Sequence, residues 1–157
     1  MIAKLLYILI GLGVFVCVMF AMMGWQSHSG KPAGLIDRKL SVCGSKPNCV
    51  STEVADGPEA LTLDPEWMEE AWVDIRSVVE AAGGALTVYD DEYLAAEFTS
   101  RIFRFVDDFE ARFDSANARI QMRSASRVGY SDLGVNAARL ERIRVLFNDR
   151  ETGRNSQ

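Results

Sequence analysis

At 157 residues, with a net charge of −5 and 48 % apolar residues, the chain holds enough sequence for one ordinary domain with a buried core. Its acidic balance excludes an electrostatically driven nucleic-acid binder. A single histidine, His28, leaves the domain without a base for a Ser-His-Asp triad, and no GxSxG elbow, P-loop or Gly-rich dinucleotide fingerprint occurs.

From Leu5 to Trp25 the sequence reads LLYILIGLGVFVCVMFAMMGW, without a charged residue. As a helix it covers roughly 31 Å, about the thickness of a bilayer's hydrocarbon core. It lacks the polar stripe that a core helix of a soluble domain carries. Tyr7 and Trp25 stand near its ends, where amphipathic rings favour the interface. Residues 1–25 are therefore expected to be a retained transmembrane signal-anchor. A cleavable signal is the rival reading, but the apolar core is too long and Ser27-His28-Ser29 is a weak small-x-small site. Cys17, mid-span after Val-Phe-Val, is apolar filler rather than a lipid-attachment cysteine.

Residues 26–40, mostly polar and containing Gly and Pro, read as a linker to a soluble domain over residues 41–148. Lys4 flanks the span on one side and Lys31, Arg38 and Lys39 on the other, so a bare count of positive charge places the domain in the cytoplasm. Cys43 and Cys49 argue for the opposite side. The turn-forming loop Gly-Ser-Lys-Pro-Asn between them can bring the thiols together, and a disulfide needs an oxidising compartment. Two free thiols are the alternative. A zinc site wants four ligands and no second pair exists, so no metal or cofactor is expected.

Val54 to Leu63 reads as irregular. Asp64-Pro65 then starts a helix, with Asp as N-cap, Pro in first position and Glu66, Glu69 and Glu70 in or near the first turn. Met68, Ala71, Trp72, Ile75, Val78 and Val79 keep helical spacing up to Gly83-Gly84. Four strands follow: Ala85 to Tyr89, Tyr93 to Ser100, a run from Phe103 to Phe113, and Ala118 to Ser126. In the third, Phe103, Phe105, Phe109, Ala111 and Phe113 share one face, and Arg104, Asp108, Glu110 and Arg112 the other. A last helix runs from Gly134 or Val135 to Phe147, with Leu140, Ile143 and Phe147 inward and Arg139, Arg142 and Arg144 largely outward. Residues 149–157 read as a flexible tail. The fold class expected is α+β: an antiparallel four-stranded meander with helices packed on one face, preceded by one N-terminal transmembrane helix.

Charge divides unevenly. Glu53 to Asp114 holds 17 acids against four arginines, whereas Arg119 to Arg150 holds seven arginines against three acids. Internal pairing between the halves is the default expectation.

Asp107 falls on the aromatic face of its strand, where a carboxylate is costly unless paired. A β-bulge at Val106-Asp107, a structural ion pair with an arginine, or a carboxylate of shifted pKa in a pocket would each account for it. Asp108 points the other way. A second candidate region is Arg123 to Asn136, running from a strand through a loop into a helix start. Ser131 or Asp132 suits the cap of that helix, Ser124, Ser126, Arg127 and Tyr130 supply donors around the loop, and with the helix N-terminus this composition suits an anion. The plainer reading is that Asp132 caps the helix, Arg123 and Arg127 pair with Asp107 or Asp108, and Tyr130 packs.

Cys43-Gly-Ser-Lys-Pro-Asn-Cys-Val-Ser51, Phe105-Val-Asp-Asp108 and the block from Arg123 to Asn136 together resemble the bacterial and plastid domain-of-unknown-function family fourteen-ninety-nine, over roughly Leu40 to Phe147. This chain has Gly44 where that pattern usually has Pro, and Ala137 where an arginine often follows the motif asparagine. The resemblance implies an envelope or organelle location and no established activity. It marks Asp107, Asp108, Arg123, Arg127, Tyr130, Ser131, Asp132 and Asn136 as the place to look. The expectation is a single-pass protein of a bacterial inner membrane with a periplasmic domain that binds a small anionic ligand or an envelope protein. The alternatives are an Asp-dependent hydrolase or transferase acting on an anionic substrate, and a structural envelope component.

Overall fold

The structure, a computed structural model, describes residues 2–154. Helix α1 (Ile2–Ser27) is exposed along its length except in its last turn, where Gly24 and Ser27 are buried. Among the described residues it is the one helix long and apolar enough to cross a membrane. Strands β1 (Leu35–Ile36) and β2 (Lys39–Leu40) form a small hairpin. Its loop residues Asp37 and Arg38 both have positive φ, 50° and 61°, the twist that a two-residue hairpin turn requires.

The main sheet is antiparallel and six-stranded, not four-stranded. It comprises β3 (Cys49–Ser51), β4 (Leu61–Thr62), β5 (Ala85–Tyr89), β6 (Tyr93–Thr99), β7 (Val106–Asp114) and β8 (Arg119–Ser126), in the order β3-β8-β7-β6-β5. β4 shares the β3 edge of β8, pairing Leu61 with Ile120 while β3 pairs Cys49 with Ala125. Both added strands are two or three residues long, too short to show a period-2 pattern.

β7 begins at Val106 rather than Phe103. Residues 100–105 close a loop in which the Ser100 amide donates to the Phe105 carbonyl and the Phe105 amide to the Ser100 hydroxyl. Arg104, at φ 58°, turns the chain there. Phe103 and Phe105 consequently leave the sheet face and meet Phe20 of α1, with ring centroids 5.2 and 6.2 Å away.

Helices α2 (Met68–Ala81) and α3 (Val135–Arg154) cover one face of the sheet. Asp64 caps a lead-in turn, accepting the Glu66 amide at 2.9 Å, and the regular α-helix starts at Met68. Ala71, Trp72, Ile75, Val78 and Val79 meet Leu94, Ala96, Phe98, Phe109, Ala111 and Phe113 in one core, which Leu140, Ile143 and Phe147 complete. Trp72 stacks on Phe113 at 5.6 Å and on Tyr89 at 6.0 Å. α3 continues through Arg154 instead of fraying after Phe147. Its last turns are held because Arg150 and Arg154 both pair with Asp74 of α2.

The opposite, charged face of the sheet is covered too. Residues 28–42 cross it, and Leu35 and Leu40 pack with Tyr93 and Ala95 in a small second core. The segment read as a linker is thus a packed layer. Beneath it Asp108 and Glu110 are buried.

Candidate functional site

The carboxylates and arginines singled out in the sequence converge at the end of the sheet where β7, β8, the start of α3 and the end of α1 meet. They converge on each other. Asp107 sits in unbroken register, opposite Phe98 of β6 and Ser126 of β8, so no bulge turns it out. It pairs at 2.8 Å with Arg139, whose side chain is almost buried. Arg139 also donates to the Ser124 hydroxyl at 2.7 Å and to Asn136 Oδ1 at 2.5 Å, and lies 4.4 Å over the Phe98 ring. Its inward course corrects the outward placement expected from helical spacing. The carboxylate of Asp107 and the face of Phe98 compensate a charge that would otherwise be costly at the core edge.

Asp108 faces the covered side. Arg127 grips it in a fork, Nε to both carboxylate oxygens at 3.1 and 3.0 Å and Nη2 to Oδ1 at 2.7 Å. The same guanidinium donates to Glu97 at 2.6 Å and to the Ser27 carbonyl at 3.1 Å. Burial pushes the Asp108 carboxyl upward, and the Arg127 bonds oppose that push. The bond to Asp108 holds the Arg127 guanidinium above its usual value. A planar fork that matches a carboxylate this way is a property of arginine that lysine lacks.

Next on the same face, Glu110 is 0 % exposed. It pairs with Arg123 at 2.6 Å and accepts bonds from the Tyr93 hydroxyl and the Gly34 amide, both at 2.7 Å. Burial and the Glu110 carboxylate hold the Tyr93 phenol far above its ordinary range. Further along, Arg112 pairs with Glu53 at 2.6 Å and Asp114 at 3.3 Å. The acidic and basic halves of the sequence thus neutralise each other across the β6–β7–β8 register.

Ser124, Ser126 and Asn136 brace the helix start. Ser124 donates to Asn136 Oδ1 at 2.6 Å, and Asn136 Nδ2 donates to the Ser126 hydroxyl at 3.0 Å and the Asn48 carbonyl at 3.1 Å. Asp132 caps α3, taking the Gly134 and Asn136 amides at 3.1 and 2.7 Å. Burial acts to raise its carboxyl, and these amides outweigh it, leaving the group below its usual value. Ser131 accepts the Leu133 amide at 3.2 Å. Of the candidates, Tyr130 and Ser131 stand open to solvent, so the packing expected of Tyr130 is not found. The amides that an anion would need at this helix start are occupied by Asp132.

Cys43 and Cys49 form a disulfide with Cα atoms 5.5 Å apart. It closes the loop that presents Asn48, whose carbonyl accepts the Ser126 amide at 2.9 Å and whose side-chain amide donates to the Gly129 carbonyl at 3.2 Å. Among the described residues no three of His, Cys, Asp or Glu are placed to share a metal ion.

Sequence reasoning missed Glu110, Tyr93, Glu97, Arg139, Asn48 and Ser27. Glu110 stands directly opposite Arg123 in the β7–β8 register, so the pairing of those strands was the signal available for it. Ser27 carries none, since its role depends on a helix end meeting a distant strand.

One cavity adjoins this network and shares Asp107, Ser126 and Asp132 with it. A cleft of about 380 Å³ lies between α1 and the 127–135 loop, bounded by Phe20, Met23, Phe105, Val128, Tyr130 and Val135. Asp107, Asp132, Ser100, Ser126 and Ser131 contribute the polar groups of a wall that is otherwise apolar.

No curated protein and no solved structure matches the chain. The family model described as Protein of unknown function (DUF1499) matches residues 39–147, a stretch that contains every strand of the six-stranded sheet, and the chain belongs to that family.

Proposed function

We propose that this protein is a single-pass, membrane-anchored binding domain, displayed on the oxidising side of a bacterial inner membrane and working at the membrane surface. The observation that carries the reading is the end of α1. Ser27 is 1 % exposed. Its hydroxyl accepts the Val106 amide at 2.9 Å, and its carbonyl accepts Arg127. Gly24 lies so close to the Phe103 carbonyl that a Cβ would stand 1.8 Å from the oxygen. A cleaved signal would take these contacts with it and leave the Val106 amide without its partner in a buried position. Trp25, 80 % exposed on the same turn, suits a membrane interface better than water.

Two further features support the reading. The Cys43–Cys49 disulfide favours an oxidising compartment over the cytoplasm. Asp108 is held through both oxygens by Arg127 and Asp107 through one by Arg139, an arrangement that suits a rigid support rather than general acid–base work on an anionic substrate. The mostly apolar cleft beside α1, rather than the ion pairs behind it, is the surface that this reading gives to a ligand.

Topology is the test. An Asp149→Cys variant, on the exposed side of α3, is treated with a membrane-impermeant maleimide in intact spheroplasts. Labelling before permeabilisation is expected. Labelling only after permeabilisation would place the domain in the cytoplasm and refute the proposal.

A further inference from the structure

The cleft beside α1 lies at a defined level of the anchor. Phe20 and Met23 line it, and both fall inside the uncharged run that ends at Trp25. Phe20 is five residues before Trp25, which is roughly 7–8 Å along a helix axis. Phe103 and Phe105 stack around Phe20, so the 100–105 loop reaches the same level. That depth is where apolar side chains of interfacial proteins sit, about 5–10 Å into the headgroup and acyl boundary.

The rim of the cleft carries the matching side chains. Tyr130 is 70 % exposed and Leu133 94 %, and Ile102, in the neighbouring 100–105 loop, is 83 % exposed. Leu133 is held at φ 55°, a left-handed conformation unfavourable for a γ-branched residue, and it contributes nothing to the core. Arg101 and Arg104, both exposed, flank Ile102 and Phe103, the basic and apolar mixture that suits a lipid headgroup layer. Water is a poor solvent for such a rim, whereas a bilayer around α1 is continuous with it.

The polar groups in the wall narrow the ligand. The hydroxyls of Ser100, Ser126 and Ser131 each accept one bond, from the Phe105 amide, Asn136 Nδ2 and the Leu133 amide. Among the described residues none of the three gives its proton to a protein acceptor. The cleft therefore offers hydroxyl donors in a largely apolar wall that also includes Asp107, which takes Arg139 through one oxygen, and Asp132, which holds the α3 amides. Such a wall suits neutral ester carbonyls joined to hydrocarbon and disfavours a free carboxylate.

We infer that the cleft seats one acyl chain of a membrane glycerolipid, with its ester carbonyls at the three serine hydroxyls. This rests on the anchored reading proposed above, because the lipid enters from the leaflet that surrounds α1. The 380 Å³ of the cleft lies within the range of small-molecule sites.

The test uses the full-length protein in vesicles of phosphatidylethanolamine and phosphatidylglycerol, doped with a phosphatidylcholine that carries a diazirine in one acyl chain. After photolysis, label is expected on peptides from residues 100–105 and 128–135. Val135→Trp and Val128→Trp, each at a residue that lines the cleft, should each cut that label about tenfold. Val145→Trp, remote on α3, should match the wild type, and circular dichroism monitors folding throughout. Label confined to α1, or equal in all variants, overturns the lipid seat and leaves the anchor intact. A diazirine fatty acid that labels the cleft as strongly as the glycerolipid overturns the ester assignment. Loss of α1 from the intact mass of the same sample overturns the anchored reading, and the lipid seat with it.

Discussion

Glu110 shows what the closed network does at the scale of single residues. Replacing it by Ala strands Arg123 in a nearly dry site and removes the acceptor for Tyr93 and the Gly34 amide. Breaking one side of a buried pair costs about 3–5 kcal/mol, which urea unfolding of Glu110→Ala should show. Replacing both partners, Glu110→Leu with Arg123→Met, should recover most of that loss. If the double variant were no more stable than the single one, the cost would lie elsewhere than in the stranded charge. Asp132 gives the pH counterpart. Its folded pKa lies below the ordinary value near about 3.9. The cap therefore contributes fully above that value, and its contribution is lost as pH falls through the lower folded pKa. Asp132→Ala should cost about 1 kcal/mol at neutral pH and nothing further in acid. A melting curve that shifted equally at both pH values would contradict this. The sequence showed that Asp107 needed a partner, and the partner is an arginine. It did not show which one, because Arg139 reaches inward from a helix whose period alone turns it out.

Among elements, the junction of α1 with the sheet is the part least visible in sequence. A glycine near the end of an apolar helix reads as a tolerated small residue, and only the packed structure shows the Phe103 carbonyl against Gly24. Gly24→Ala is expected to push α1 off the 100–105 loop and cost about 1–3 kcal/mol. Faster hydrogen exchange at the Val106 amide, which Ser27 holds, would mark the site of the damage. Unchanged exchange there would show that the helix end is not fastened. The Cys43–Cys49 bridge closes a short loop, and its removal by Cys43→Ser with Cys49→Ser should cost about 2 kcal/mol, read as a fall in melting temperature. α2, β5 and β6 were legible because each has a full period of apolar residues between turn signals. β3 and β4 were not, since two or three residues carry no period. β7 was read too early because Phe103 and Phe105 continue its alternation while serving a different surface.

For the molecule as a whole, α2 and α3 cover one face of the sheet, and the segment leading from α1 covers the other over a layer of buried ion pairs. Composition made that second cover illegible, because residues 26–40 are polar enough to pass for a linker. Their polar groups are what the charged face requires: the Gly34 amide meets Glu110 and the Ser27 carbonyl meets Arg127. α1 and the domain thus share one folded unit. Mass spectrometry of the intact protein, extracted from membranes with detergent and without reductant, tests it most directly. The account predicts a chain that still carries α1 and shows the mass deficit of one disulfide. A chain beginning after Ser29, or one with both Cys43 and Cys49 as free thiols, would contradict it.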